Sequence, residues 1–370
     1  MKIPLSFFLR NSIQRLLKTP LSKWYFLTLL LLYFLGIMNL SYSQQEFKKT
    51  TLFQEEEVLN IRLGYSFKDL KSRQSDEQGK SVFLYYKNEK HDWDSIPVLI
   101  RGRGNFRREK CFFTPIKIKM KKKAVKGTVF AGNKKLKMVL PCQNAKDASD
   151  FLVKEYISYK LYEPLSPYHF NTRLIHLNLT DERGKNQKEY EVKAILIEDD
   201  KLVAKRFDAK MYKGDVLSPQ RLQDTATVIH DFFQYFIGNT DWSSRNKHNV
   251  AIMQLSDGQY IPLCYDFDMA GMVNASYATV SEMLTISSVT ERLYRGLCKD
   301  EALFQYVRAY YIERESAIWQ TFEQASVHLD PKMIPGMKRY ISDFFDVLKN
   351  DKKFKDEILN RCRSLQALNN

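Results

Sequence analysis

The residues best placed for chemistry lie in two short stretches. The first, GNTDWSSRNKHNV (residues 238–250), gathers Asp241, Asn246, His248 and Asn249 directly after an apolar helical pattern. The second, YDFDMAG (265–271), holds Asp266 and Asp268. Between them run two strand-like segments, VAIMQL and YIPLCY, joined by the turn SDGQ. A tight turn between two such segments predicts a hairpin. The outer ends of its strands then lie side by side, which brings Asp241, Asp266 and either Asn249 or Asn246 to one place. Carboxylate and amide oxygens are hard ligands that suit Mg²⁺ or Mn²⁺, and a further aspartate can orient or deprotonate a hydroxyl. One aspartate for the nucleophile, with an asparagine and a second aspartate holding metal on phosphates, is the division of labour in phosphoryl transfer. Each aspartate taken singly reads equally well as a turn residue. Two such loops flanking one hairpin give the pattern its weight.

Phosphoryl transfer also needs a cation for the donor phosphates and a cover for the nucleotide. The segment LIRGRGNFRREKCFFTPIKIKM supplies both in outline. Gly102, Gly104 and Asn105 occupy a strand-to-strand turn that can close over phosphates, Lys119 lies in the following strand, and Glu155 on the next helix is its expected partner. The bland reading of this segment is a basic hairpin with a glycine turn. Arg101, Arg103, Arg107 and Arg108 read either as contacts to an anionic ligand or as a solvated patch. His248 reads as a loop-ordering hydrogen-bonder or a packed side chain, and Trp242 as packing.

The elements that must position these residues change character along the chain. Segments 81–86, 96–102, 115–120, 136–140, 172–180 and 190–198 carry strand patterns, and DASDFLVKEYISYKLYEP predicts a helix ending at Pro164. Ser218-Pro219 predicts the start of a second helix with Leu222, Ala226, Ile229, Phe233 and Phe236 on its apolar stripe. Beyond residue 280 the pattern is mainly helical. The plan is α+β, with a β-rich lobe over 44–200 and a helical lobe carrying the two loops over 201–370.

At the N-terminus, a basic stretch ending at Lys23 precedes a charge-free run from Trp24 to Leu40, then SYSQQ. Residues 1–43 read as a secretory signal cleaved before Gln44 or as an uncleaved membrane anchor. The 370-residue chain carries a formal net charge of +15 and is rich in aromatics, with 24 Phe and 21 Tyr, which excludes a disordered composition. A basic surface favours anionic partners without choosing among them. The five cysteines form no CxxC pair, so a structural zinc site is disfavoured; some can pair after export, and the odd count leaves at least one over.

The order RGRGNFR … PIKIKM … KLKMVL … DFLVKEYISYKL … VKAILIE … GNTDW … HNV … YDFDMAG resembles the CotH-like family of atypical protein kinases, over roughly residues 96–275. GNTDW and DFD are also similar to the catalytic and metal loops of HipA-type and lipid-kinase-like enzymes. The resemblance implies a two-lobed, protein-kinase-like fold with ATP in the cleft. It implies Asp241 as catalytic aspartate, Asp266 as metal aspartate, Lys119 as phosphate-binding lysine, and Glu198 at the connection between lobes beside the adenine edge. HipA-type spacing points to Asn246 as metal ligand; position at the strand start favours Asn249. The arginines and Phe106 around the glycine turn depart from the family pattern.

The expected function is therefore an exported, ATP- and Mg²⁺-dependent kinase acting on a hydroxyl of a protein or other envelope acceptor. The expected partners are a nucleotide, that acceptor, and a membrane contact through 24–40, with no nucleic acid. The alternatives are a catalytically silent pseudokinase serving as an envelope binding protein, and a metal-dependent phosphodiesterase.

Overall fold

In a computed structural model, residues 49–72, 78–104, 106–183 and 187–364 are described. The expected signal or anchor, and Asn105, lie outside them. Among the described residues no helix is long and apolar enough to cross a membrane.

Seven strands form a closed barrel: β1 (Leu59–Tyr65), β2 (Lys80–Lys87), β3 (Trp93–Gly102), β4 (Ile116–Met120), β5 (Lys135–Val139), β6 (Thr172–Asp181) and β7 (Lys188–Glu198), in the spatial order β1-β2-β3-β4-β5-β7-β6. All neighbours are antiparallel except β1 and β6, whose parallel pairing, from Leu59 opposite Ile175 to Tyr65 opposite Asp181, closes the ring. Alternation decides which side chains fill it. Ile116, Ile118 and Met120 of β4 are buried, while Lys117 and Lys119 between them are exposed. Leu59, Ile61, Leu63 and Tyr65 of β1 likewise point inward.

The closed barrel corrects the expected two-lobed kinase-like fold, in which the front sheet is open. The physical reason is β1. Its pattern LNIRLGY alternates cleanly, and its addition to β6 removes the free edges that an open sheet would keep. The six other barrel strands fall where the sequence places them, within a few residues at each end.

Helix α1 (Ala148–Tyr162) packs against β6 and β7 and is buried nearly all round, including Lys154, Glu155, Ser158 and Lys160. A helix apolar on one stripe alone could not be enclosed in this way. Its inner residues Val153 and Ile157 share one core with Phe232, Phe233 and Phe236 of α2 (Asp224–Phe236) and with Phe267. Three further helices, α3 (Glu301–Glu313), α4 (Glu315–Ser326) and α5 (Ile334–Lys349), complete that core. Ser218-Pro219 opens only a 3₁₀ turn, Pro219–Arg221. The helix proper starts at Asp224, because Leu222 bridges to Tyr260 and the Gln223 side chain caps by accepting from Ala226 N–H at 2.5 Å. A small sheet, β10-β9-β8, contains the expected hairpin: β9 (Val250–Gln254) and β10 (Tyr260–Cys264), with β8 (Lys210–Met211) on the outer side of β9.

Four of the five cysteines pair, as Cys111–Cys142 and Cys298–Cys362, and Cys264 is free and buried. Cys111–Cys142 fastens the end of the short helix Phe106–Lys110 to the segment leading into α1. A loop closed over a separation of 31 residues is worth about 3.7 kcal/mol in the chain-entropy account. We expect reductant to lower the thermal midpoint clearly, and Cys111→Ser to reproduce much of that loss. A midpoint indifferent to reductant, with both disulfides shown by mass spectrometry to be opened, would contradict it.

Candidate active site

Asp241 sits on a loop whose backbone is tightly determined. Gly238 follows α2 at φ +64°, and a Cβ there would meet the Tyr340 hydroxyl. The left-handed turn favours glycine, and a side chain would also have to displace that hydroxyl. The buried Asn239 side chain donates to Gln234 Oε1 at 2.9 Å and accepts from Asp241 N–H at 3.0 Å. Arg295 donates to the carbonyls of Thr240 and Trp242. Trp242 is buried edge-on to His230, its ring centre 5.0 Å away, as expected of a packing residue.

The Asp241 carboxylate is held on both oxygens. His248 Nε2 lies 2.8 Å from Oδ1, and Asn249 Nδ2 donates to Oδ2 at 3.0 Å and to the Asp241 carbonyl at 2.8 Å. Asn249 is in turn tied to the start of the second loop, since Tyr265 N–H donates to its carbonyl at 3.1 Å. The hairpin thus places Asp241, Asn249 and Asp266 together. Asn249 and Asp266 both have left-handed backbones, at φ 52° and 65°. Such conformations are uncommon for residues other than glycine and concentrate at functional sites. Asn246 is different: it is exposed in the turn after Ser243, its N–H on Ser243 Oγ, and it does not line the cleft.

The principal surprise is Arg107. Its guanidinium is buried and meets three carboxylates: Asp268 at 2.6 Å, Asp266 at 3.3 Å and Glu155 at 3.3 Å. Glu155 was expected beside Lys119; its partner is Arg107. Strand alternation explains the exchange, because Lys119 leaves the barrel on its outer face while Glu155 is buried on α1 beside Arg107. Burial pushes the Glu155 carboxyl up to about 8 against the pull of Arg107, with Asp268 and Asp266 adding repulsion. Burial also raises Asp268, again opposed by Arg107. One guanidinium cannot neutralise three carboxylates, and the burial that disfavours the charged form of Glu155 relieves only part of the excess negative charge. Asp266 is further fixed by its N–H donating to the Tyr159 hydroxyl of α1 at 2.8 Å.

Arg107, Asp241, His248, Asn249, Asp266 and Asp268 line a cleft of about 700 Å³. It adjoins a second cavity of about 650 Å³ on the outer face of β3, β4 and β5, sharing Arg103, Gly104 and Tyr265 with it. Gly104 lines both, at φ +74°. Lys119 lines the second cavity, as does Lys137 of β5, whose strand pattern carries no signal of a site. Lys137 is largely buried between Asp200, the Phe170 ring at 4.6 Å and the Tyr265 ring at 5.0 Å, and burial lowers its pKa. Glu198 does not reach either cavity. It is buried and clasped by Asn171 N–H at 3.1 Å, Asn171 Nδ2 at 2.8 Å and Arg206 at 3.0 Å, which makes it a structural anchor for the end of β7. The next two residues, Asp199 and Asp200, face the cavity instead.

The donor set can be tested against a divalent cation. Among the described residues no three His, Cys, Asp or Glu side chains form a self-sufficient metal cage. Asp266 and Asn249 fit as a pair of hard oxygen ligands: the Asn249 amide nitrogen is committed to Asp241, which leaves its carbonyl oxygen to offer. An Mg²⁺ ion there would take its remaining ligands from phosphates and water, as that ion commonly does. Asp268 is committed to Arg107.

Compared with known proteins, the chain matches no family model and no curated protein. The resemblance to CotH-like kinases therefore rests on the motifs alone.

Proposed function

We propose that this chain is a phosphotransferase that moves a terminal phosphoryl group from a phosphoanhydride donor, ATP being the first to test, to a hydroxyl of a protein or other envelope acceptor. The observation that carries the proposal is the joint between the two cavities. A cationic cavity opens at Arg103 and Gly104 into a cleft where Asp241 is oriented by His248 and Asn249 and faces the Asp266–Arg107 cluster.

Asp241 takes the acceptor proton and aligns the hydroxyl oxygen. Its two hydrogen-bond partners fix the carboxylate before substrate arrives, which reduces reorganisation in the transition state. Arg103 and Lys137 place positive charge where the donor phosphates would pass. A divalent cation held by Asp266 and Asn249 would neutralise charge on the phosphates. Arg107 keeps the Asp266 loop in place by bridging it to α1 through Glu155. The two disulfides favour an oxidising compartment, which agrees with export. A silent, binding-only protein is the second reading, favoured by the guanidinium already resting on Asp266 and Asp268.

The test is incubation of the purified chain from residue 44 with γ-labelled ATP and Mg²⁺ or Mn²⁺, with a protein acceptor or itself as substrate. Metal-dependent transfer that is lost in Asp241→Asn supports the proposal. Nucleotide binding without transfer to any acceptor turns the reading to the silent protein.

A further inference from the structure

The cavity beside the cleft has the wrong lining for a nucleobase. A base slot is normally walled by apolar and aromatic faces with a few polar groups for orientation. Here Leu99 and Tyr265 are the apolar side chains at the wall, since Ile118 and Leu136 turn into the barrel, and the strand register lays cations in rows. Arg101 of β3 stands opposite Lys117 of β4, and Lys117 opposite Lys137 of β5; in the adjoining row Lys119 stands opposite Lys135. All five line the cavity. Like charges directly opposite on neighbouring strands are destabilising. The acids that line it are Asp199 and Asp200, and Asp200 is bound to Lys137. The aromatic Tyr265 already carries the Lys137 ammonium on one ring and meets Phe170 edge-on.

A surface arranged against its own stability in this way fits a ligand that is negative along its length. We propose that the cavity binds a linear chain of phosphate groups, of the inorganic polyphosphate class, without recognising a base, and that this chain is the phosphoryl donor. The inference rests on the phosphotransferase reading and specifies its donor. The chain runs along the rows of lysines, passes Arg103 and Gly104, and presents its terminal phosphorus in the cleft. The acceptor oxygen forms a bond to that phosphorus and its proton goes to Asp241. The bridging P–O bond breaks, and the shortened chain leaves with the electron pair, its new charge facing Arg103 and Lys137. Such a donor requires no nucleoside outside the cell.

The experiment is calorimetric titration of the chain from residue 44 with inorganic tripolyphosphate, longer polyphosphate, ATP, adenosine and heparin. The expected result is that adenosine does not bind, ATP binds no tighter than tripolyphosphate, and longer polyphosphate binds tightest. Lys119→Gln with Lys135→Gln should weaken polyphosphate by about tenfold and reduce the slope of log affinity against log salt by about 2. Both lysines are exposed strand residues, so the double variant should fold, which circular dichroism checks; Lys119→Glu with Lys135→Glu should give a larger loss in the same direction. Binding of adenosine, a clear preference for ATP over tripolyphosphate, heparin binding as tight as polyphosphate, or unchanged affinity in both double variants would overturn it. The two readings fail separately. If polyphosphate binds here but phosphate is transferred from no donor, the phosphotransferase reading falls and the polyphosphate site remains. If transfer proceeds from ATP but never from polyphosphate, the donor assignment falls and the phosphotransferase reading remains.

Discussion

Asp241→Asn should reduce phosphoryl transfer by about 10²-fold or more, on the order of 3 kcal/mol of transition-state stabilisation, while donor affinity stays close to wild type. The substitution keeps the size of the side chain. It also keeps an oxygen that can accept from Asn249 Nδ2 or face His248, so the loop retains the support of Asn239 and Arg295. What it removes is the basic carboxylate, whose role is confined to the step in which the acceptor loses its proton. Turnover and donor binding, measured on the same preparation, separate the possibilities. If donor affinity collapses together with turnover, Asp241 is a ligand of the donor or its cation and the base assignment is wrong.

The largest effect on stability belongs to Arg107. Arg107→Ala leaves Glu155, Asp266 and Asp268 facing one another without the guanidinium that links them. Removing one partner from a buried ionic cluster typically costs about 3–5 kcal/mol, because the other charges remain desolvated. The pH dependence follows from the raised carboxyl values. Groups whose folded pKa exceeds the unfolded one favour the folded state when protonated. Their contribution is complete below the ordinary carboxylate range and is lost as pH rises through the folded value, about 8 for Glu155 even with Arg107 in place. The variant should therefore be least destabilised in mild acid and most destabilised at neutral pH and above. Arg107→Lys should recover only part of the loss, since a single ammonium cannot reproduce a fork that reaches three carboxylates. Urea unfolding across this pH range is the measurement. A cost below about 1 kcal/mol at neutral pH would show that the cluster is hydrated or rearranged rather than held by Arg107.

Much of the site lay in short-range pattern. The hairpin after Asn249 was legible because two strand segments flank one tight turn, and a hairpin returns its ends to the same place regardless of what surrounds it. That local geometry alone carries Asp241, Asn249 and Asp266 together. The choice between Asn246 and Asn249 is not legible in residue type or spacing. It depends on how the turn from Ser243 to His248 closes, whose paired backbone turns Asn246 out to solvent and His248 onto Asp241.

The sequence by itself determined six of the seven barrel strands, the body of the main helices, the hairpin, the glycine turns and the excess of basic residues, because each follows from composition or from side-chain alternation or backbone preference over a few residues. The tertiary structure decided the rest. The barrel closes through β1 and β6, whose residues Leu59 and Ile175 are far apart in sequence, and no periodicity records which distant strand a segment will join. Alternation along β4 sends Lys119 outward, and the packing of the turn after β3 against α1 leaves Glu155 to Arg107. The register of β4 on β5 turns Lys117, Lys119, Lys135 and Lys137, ordinary alternating positions in two separate strands, into one cationic cavity. Charge on a strand is written in the sequence; which other charges stand opposite it is set by register across the sheet.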